Sequence, residues 1–188
     1  MSDREQYAPG PASGAQVRKE GERWTLILVR DLRHPPTMVW EALTDPAQLS
    51  EWAPFDADRN LATEGPVKMS MAGTPKPQVF HTTVKRAEAL RLLEYSWGES
   101  DLRWELEPIG SGTRLTLWHN IDRGFISWGA AGWHICFDVL ERFLAGKPIG
   151  RMVGQGMKSV GWQRLVAEYA NQFRVDVLDG GAKATQKS

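Results

Sequence analysis

The sequence predicts an α+β fold in which helices cover one side of a curved antiparallel sheet of about six or seven strands. The first observation behind this prediction is strict apolar alternation, as in Leu93, Tyr95 and Trp97, which gives a strand one apolar face. The second is that the chain has nine tryptophans in 188 residues, four of which fall on predicted strands. The third is a long amphipathic helical pattern that follows the strands.

Composition restricts the classes of partner and compartment. Lys plus Arg equals Asp plus Glu, at 23 each, so no electrostatic argument favours nucleic acid or an anionic membrane. The longest apolar run, Trp24 to Val29, is far shorter than the ~18–20 residues that span a bilayer. A single cysteine, Cys136, excludes an internal disulfide and fits a reducing compartment, and residues 1–20 lack the apolar stretch of a secretory signal. We therefore expect a cytoplasmic protein.

The chain is predicted to form one domain with two tails. Residues 1–22 and 176–188 are rich in Gly, polar and charged residues and are predicted to be disordered. The ordered domain is predicted over residues 23–175.

The amino-terminal part of this domain is predicted to contain one strand and two short helices. A strand spans Trp24 to Leu32 and ends before Pro35-Pro36, because proline cannot donate to a strand ladder. The second proline suits the first turn of a helix. Asp45 and Pro46 begin another helix, with the aspartate as its N-cap.

A series of strands joined by short turns follows, which favours an antiparallel meander. Within the last strand, Leu115, Leu117 and His119 alternate with polar residues and are expected on the inner face. The predicted strands are Leu61–Thr63, Val67–Met71, Val79–Ala87, Leu90–Trp97, Leu102–Glu107 and Thr113–Asn120.

Helices end the domain. The segment Phe125 to Leu144 has apolar residues at spacings of three and four, which predicts a long helix against the sheet. Gly146 and Pro148 stop it. A last helix is predicted near Val160 to Phe173.

Four stretches resemble one family in the order that it shows them. They are HPPTMVWEALTDPAQLSEW from His34, YSWGES from Tyr95, LRWELEPIGSGTRLTLWH from Leu102 and AGWHICFDVLERFLAG from Ala131. This pattern resembles the activator-of-heat-shock-chaperone-ATPase homologue family, within the START-like (SRPBCC) superfamily, over about Trp24 to Gly146. The resemblance implies a helix-grip fold, a curved sheet wrapped around a long helix with a cavity between them. It implies no fixed catalytic set, because the superfamily includes ligand carriers, cyclases and chaperone cofactors.

The side chains expected to face the space between sheet and helix are the candidate ligand-binding residues. They form either the wall of a pocket for an apolar or aromatic ligand or a plain aromatic core, and the sequence leaves both open. The candidates are Trp52, Phe80, Tyr95, Trp97, Trp104, Leu117, His119, Trp133 and Phe137.

Some polar residues suggest other chemistry. His134 and Asp138 lie four apart on the long helix and can pair there, either as an oriented base or as a structural pair. Arg30 enters the groove if Trp24 and Leu28 face inward, where it could bind a ligand carboxylate, since a buried arginine needs a charged partner. No metal-ligand spacing or phosphate loop occurs, so no metal or cofactor is predicted.

Three functions remain open. The first is a non-enzymatic module that binds a small hydrophobic molecule in the cavity. The second is an interaction role, as a chaperone cofactor or another protein's partner. The third is a cyclase- or dehydratase-type enzyme that uses His119 or His81 as a proton shuttle. Trp118 and Trp128 are expected on outward faces, where exposed aromatic side chains suggest a homodimer contact.

Overall fold

A computed structural model describes residues 1–177. The helices are α1 (Asp3–Gln6), α2 (Pro36–Thr44), α3 (Pro46–Trp52), α4 (Ile126–Leu144), α5 (Gln155–Ser159) and α6 (Trp162–Phe173), with a 3-10 turn at Arg123–Phe125. The strands are β1 (Ala15–Glu20), β2 (Arg23–Leu32), β3 (Phe55–Ala57), β4 (Gly65–Met71), β5 (Val79–Glu88), β6 (Leu92–Trp97), β7 (Ser100–Ile109) and β8 (Gly112–Asn120).

All eight strands form one antiparallel sheet in the order β1-β2-β8-β7-β6-β5-β4-β3. Strands β3 to β8 are consecutive neighbours, as expected of the predicted meander. β2 is separated from β8 in sequence by the whole meander, yet pairs with it from Thr25↔Asn120 to Leu32↔Thr113. The predicted α+β class and the curved antiparallel sheet against a long helix are confirmed.

The strand count is slightly higher than predicted because the sheet has one additional edge strand, β1. The prediction that residues 1–22 are disordered is wrong for Ala15–Glu20, which pairs with β2 along its whole length. This edge strand is mostly exposed and polar, so its backbone hydrogen bonds, which leave no mark on composition, hold it in the sheet. The predicted strand at Leu61–Thr63 is wrong as well: the short strand of this region is β3, and Leu61 is a buried residue between strands.

Helix α4 is buried on nearly all sides. One side packs against β2 and α3, and another packs against α6. Its buried residues therefore include His134 and Ile135 as well as the predicted stripe of Ala130, Trp133 and Phe137. Helix α6 has its own apolar face, with Leu165, Val166, Tyr169 and Ala170 buried.

The first residues of the chain lie on this pair of helices. Tyr7 is buried and its hydroxyl donates to Asp138 Oδ2 of α4 at 2.7 Å. The Ala12 N–H donates to Glu168 of α6 at 2.8 Å. Tyr169 of α6 donates to the Ser13 carbonyl at 2.9 Å. The amino-terminal segment is thus part of the packed domain, which the sequence analysis did not predict.

The predicted carboxyl-terminal tail begins at residue 176, and residues 178–188 of it lie outside the described residues. Among the helices of residues 1–177, none is both long enough and apolar enough to cross a membrane.

Candidate functional site

The inner face of the sheet is built from cross-strand neighbours on three adjacent strands. Leu93 of β6 lies opposite Trp104 of β7, and Trp104 lies opposite Leu117 of β8. Leu102 lies opposite Tyr95 on one side and His119 on the other. These six side chains are buried, whereas the intervening Arg103, Glu105 and Arg114 lie on the outer face. Period-two alternation therefore places the predicted aromatic residues on one surface.

Trp104 lies at the centre of a packed aromatic core. Its ring centroid is 5.9 Å from that of Trp52, 5.5 Å from Trp133 and 6.0 Å from Phe137. Its indole N–H donates to the Tyr95 hydroxyl at 3.0 Å. The Trp52 and Trp133 contacts are edge-to-face, a favoured aromatic geometry. This core fills the middle of the space between sheet and helices.

An apolar pocket of about 430 Å³ lies beside this core, at the amino-terminal end of α4. Its walls come from the sheet, α4, α5 and α6. The residues that line it are Pro54, Met71, Trp97, His119, Ile121, Phe125, Trp128, Gly129, Gly132, Trp133, Cys136, Gly154, Met157, Lys158 and Trp162. We call this space the apolar pocket.

A more polar groove of about 640 Å³ adjoins the apolar pocket. The two share five lining residues, Met71, Trp97, His119, Ile121 and Phe125. The rest of the groove is formed by the β1–β2 turn, the β6–β7 turn and the segment after β8, and its further lining residues are Glu22, Arg23, Trp24, Gln78, Phe80, Gly98, Glu99, Ser100, Asp101, Asn120 and Asp122. The apolar pocket thus adjoins a groove whose walls carry charged side chains.

His119 stands where the two spaces meet. Its Nδ1 accepts a hydrogen bond from the Trp133 indole N–H at 3.0 Å, and its ring lies 5.8 Å from the Trp97 ring. The side chain is only 3% exposed, and burial lowers its pKa from 6.5 to about 4. The imidazole is therefore neutral near pH 7.

The predicted site residues divide into two groups. Trp97, His119 and Trp133 line the apolar pocket, and Phe80 lines the adjoining groove. The remaining five lie in the packed core and line neither space; they are Trp52, Tyr95, Trp104, Leu117 and Phe137.

The helical wall of the apolar pocket was missed by the sequence analysis. Trp128 is not on an outward face as predicted, because its ring packs 5.8 Å from Phe125 and 5.5 Å from Trp162. Met157 of α5 completes this wall. Helical periodicity gave no signal for this wall, because Trp128 is not three or four positions from any residue of the predicted stripe. Trp118, in contrast, lies on the outer face of the sheet, beneath the Arg18 guanidinium.

The other polar candidates serve the packing of α4. Arg30 does not reach a ligand site: it donates to Asp138 at 2.8 Å and to Glu141 at 3.2 Å. His134 is buried, contacts Asp138 at 3.7 Å and Tyr169 at 2.7 Å, and burial lowers its pKa. These contacts join β2, α4 and α6, so the His134–Asp138 pair has structural partners on every side.

Two further side chains, His81 and Cys136, are of types that often take part in catalysis. His81 is exposed on β5. Cys136 lines the apolar pocket but is buried, and burial raises the pKa of its thiol to about 12, which leaves it a poor nucleophile. Within residues 1–177, no group of three or more potential metal ligands comes together.

One protein family matches more than half of this chain. A family model described as "Activator of Hsp90 ATPase homolog 1-like protein" matches residues 33–145. No curated protein matches the chain.

Solved structures share the fold at low sequence identity. A conserved protein of unknown function from Enterococcus faecalis, EF2215, has a TM-score of 0.63 at 13% identity, covering 84% of this chain and 91% of that one. CalU16 from Micromonospora echinospora has a TM-score of 0.59 at 23% identity, covering 87% and 98%. A protein from Arthrobacter aurescens has a TM-score of 0.60 at 18% identity, covering 73% and 95%.

The fold is the START-like (SRPBCC) helix-grip fold. The family match covers residues 33–145, which is more than half of the chain and extends from just before α2 to just past α4. The chain therefore belongs to the family of Activator of Hsp90 ATPase homolog 1-like proteins.

Proposed function

We propose that this protein is a small-molecule-binding START-like domain that holds an apolar or aromatic ligand in the apolar pocket and catalyses no reaction. The observation that supports this most is the pocket itself. Its volume of about 430 Å³ falls within the range of about 300–1,000 Å³ that is typical of small-molecule sites. A ligand would contact Trp97, His119 and Trp133 directly.

The walls favour a flat, rigid ligand. Trp97 and Trp133 meet at 5.7 Å on one side, and Trp128 and Trp162 meet at 5.5 Å on another. Indoles lose little conformational entropy when a ligand packs on them, because they have only two rotatable side-chain bonds. Phe125 at the rim is 46% exposed, so a ligand would also remove apolar surface from water there.

The packed aromatic core would support the site without touching the ligand. Trp104 contacts both Trp133 and Phe137, so it fixes the position of the pocket wall from behind. Rigid support of this kind keeps a binding site preorganised.

The polar groups of the site favour binding over catalysis. A histidine base needs a free lone pair within reach of a substrate proton and usually a carboxylate that orients it. His119 uses its Nδ1 lone pair to accept from Trp133, and no carboxylate bonds to it among the described residues. His81, the other proton-shuttle candidate, is exposed on the sheet.

A panel of apolar aromatic compounds, scored by thermal unfolding, tests the proposal. A ligand at one hundred times its Kd adds about 2.7 kcal/mol to stability, which raises Tm by roughly 5–11 °C in a domain of this size. The absence of a shift with every compound in the panel would contradict the proposal.

Gly132 offers a matched pair of variants for this test. It lines the pocket, and a Cβ placed there meets only the Met157 sulfur, at 4.0 Å. Gly132→Leu should therefore fill the pocket and abolish the ligand-induced shift. Gly132→Ala adds a single methyl group and should retain most of it.

The family description supports a second candidate, a chaperone cofactor. The matched family is named for activation of the Hsp90 ATPase. Stimulation of that ATPase by the full chain, undiminished in Gly132→Leu, would favour this role. Ligand binding without any stimulation would favour the first proposal.

A further inference from the structure

The tautomer of His119 is fixed by its neighbour. An indole N–H can only donate a hydrogen bond, so Trp133, at 3.0 Å from His119 Nδ1, requires an unprotonated Nδ1. A neutral imidazole then carries its proton on Nε2. Burial keeps the ring neutral by lowering its pKa. His119 is therefore a hydrogen-bond donor at Nε2.

This donor has no partner in the described part of the chain. Within residues 1–177, the side-chain nitrogens and oxygens that are both sealed from solvent and unpartnered are Trp97 Nε1, Trp118 Nε1 and Ser127 Oγ. His119 Nε2 is not one of them and makes no protein hydrogen bond there, so it is accessible from the junction of the two spaces that His119 lines. An unpaired donor beside apolar walls favours any ligand that supplies an acceptor.

The side chains around the pocket supply donors and no strong acceptors. The side chains of Trp97, Trp128, Trp162 and Lys158 each carry N–H groups. No lining residue of the apolar pocket is an acid, an amide or a hydroxyl residue. The pocket therefore favours ligands that accept hydrogen bonds.

We propose that the natural ligand is an apolar ring compound bearing a carbonyl-type acceptor, and that His119 Nε2–H donates to that oxygen. This inference rests on the proposed binding function. It gives His119 the role of a specificity-determining donor, in place of the proton shuttle that the sequence suggested. A hydrocarbon of the same shape should bind more weakly, because it leaves the donor unpaired inside the pocket.

Fluorene and 9-fluorenone form a matched pair of probes, equal in ring system and different in one carbonyl. Their affinities are measured by tryptophan fluorescence quenching for the wild type and for His119→Phe, which keeps a ring and removes the donor. The preference for fluorenone over fluorene should be about tenfold larger in the wild type than in the variant. Taking this ratio cancels the different hydration of the two probes.

The outcomes separate the two proposals. If neither probe binds the wild type, the binding function fails and this inference fails with it. If fluorene binds but the fluorenone preference is the same in both proteins, the binding function stands and the role of His119 is wrong.

Two measurements on the wild type alone keep the inference testable if His119→Phe does not fold. Nitrogen chemical shifts of the His119 ring should show a proton on Nε2, and a proton on Nδ1 would overturn the inference. The infrared carbonyl frequency of bound fluorenone should be lower than in cyclohexane. An unshifted frequency would mean that no donor reaches the oxygen.

Discussion

Acid should destabilise this protein, and protonation of His119 should account for part of the loss. The variant His119→Gln should therefore lose less stability in acid than the wild type does. His119 is buried against Trp133, and burial lowers its pKa from 6.5 to about 4. Glutamine is a close replacement, because its side-chain oxygen accepts from the Trp133 indole and does not titrate. Comparing the two proteins therefore isolates the contribution that protonation of His119 makes to the free energy of unfolding.

The direction and size of this pH effect follow from the difference in the His119 pKa between the folded and the unfolded chain. The unfolded chain takes up a proton at this histidine near pH 6.5, whereas the folded chain resists protonation down to about pH 4. The stability that the neutral ring contributes is complete above pH 6.5 and is lost as pH falls from 6.5 toward 4. At 1.36 kcal/mol per pH unit, the full interval corresponds to roughly 3 kcal/mol, of which about 2 kcal/mol is lost by pH 5.

Urea unfolding of both proteins at pH 7.5 and pH 5.0 measures this effect. Other groups, including the buried His134, contribute to both proteins and cancel in the difference. The wild type should lose about 2 kcal/mol more than His119→Gln between the two pH values. An equal loss in both proteins would show that His119 is not held neutral by the fold.

Three further predictions concern stability and are measured by urea unfolding at neutral pH. Trp104→Phe should cost about 1–3 kcal/mol, because it leaves the buried Tyr95 hydroxyl without its partner. Asp138→Asn should cost about 1–3 kcal/mol, because it removes the charged acceptor of the Arg30 guanidinium at 2.8 Å and of the Tyr7 hydroxyl at 2.7 Å, while Glu141 still pairs with Arg30. Gly132→Ala should add up to about 1 kcal/mol, because alanine is the better helix former and its methyl group makes only an ordinary contact with the Met157 sulfur, at 4.0 Å.

Each of these variants has a control in the same chain. Trp118→Phe removes an indole whose N–H has no partner among the described residues, so it should cost less than Trp104→Phe. Asp101→Asn breaks an exposed pair with Lys85 and should cost at most about 1 kcal/mol. Gly146→Ala places a side chain at φ +72° and should destabilise. An equal effect within any pair would contradict the corresponding explanation.

Much of the fold could be predicted, because the alternation of apolar and polar residues within a strand indicates which of its faces is buried. Alternation in β6, β7 and β8 indicated which side chains face inward, and the register agrees, with Trp104 between Leu93 and Leu117. Proline and aspartate marked the first helices, and Asp45 indeed accepts from the Ala47 N–H. These signals are local, so they can be read without knowing where the chain goes next.

Strand β1 and the amino-terminal contacts could not be predicted in this way. Ala15–Glu20 is polar and mostly exposed, and backbone pairing with β2 holds it in the sheet. Tyr7 reaches Asp138 across 131 positions of sequence. Neither interaction leaves a pattern in composition or periodicity.

The sequence by itself determined which side chains of β6, β7 and β8 turn inward, because a period-two pattern fixes a face. It could not determine which of those side chains meet one another and which border empty space. Tertiary packing decided that Trp104 fills the centre, while Trp97, Trp133 and His119 border the pocket. The physical reason is that a pocket is the volume left between several elements, here the sheet, α4, α5 and α6. No single segment encodes that volume.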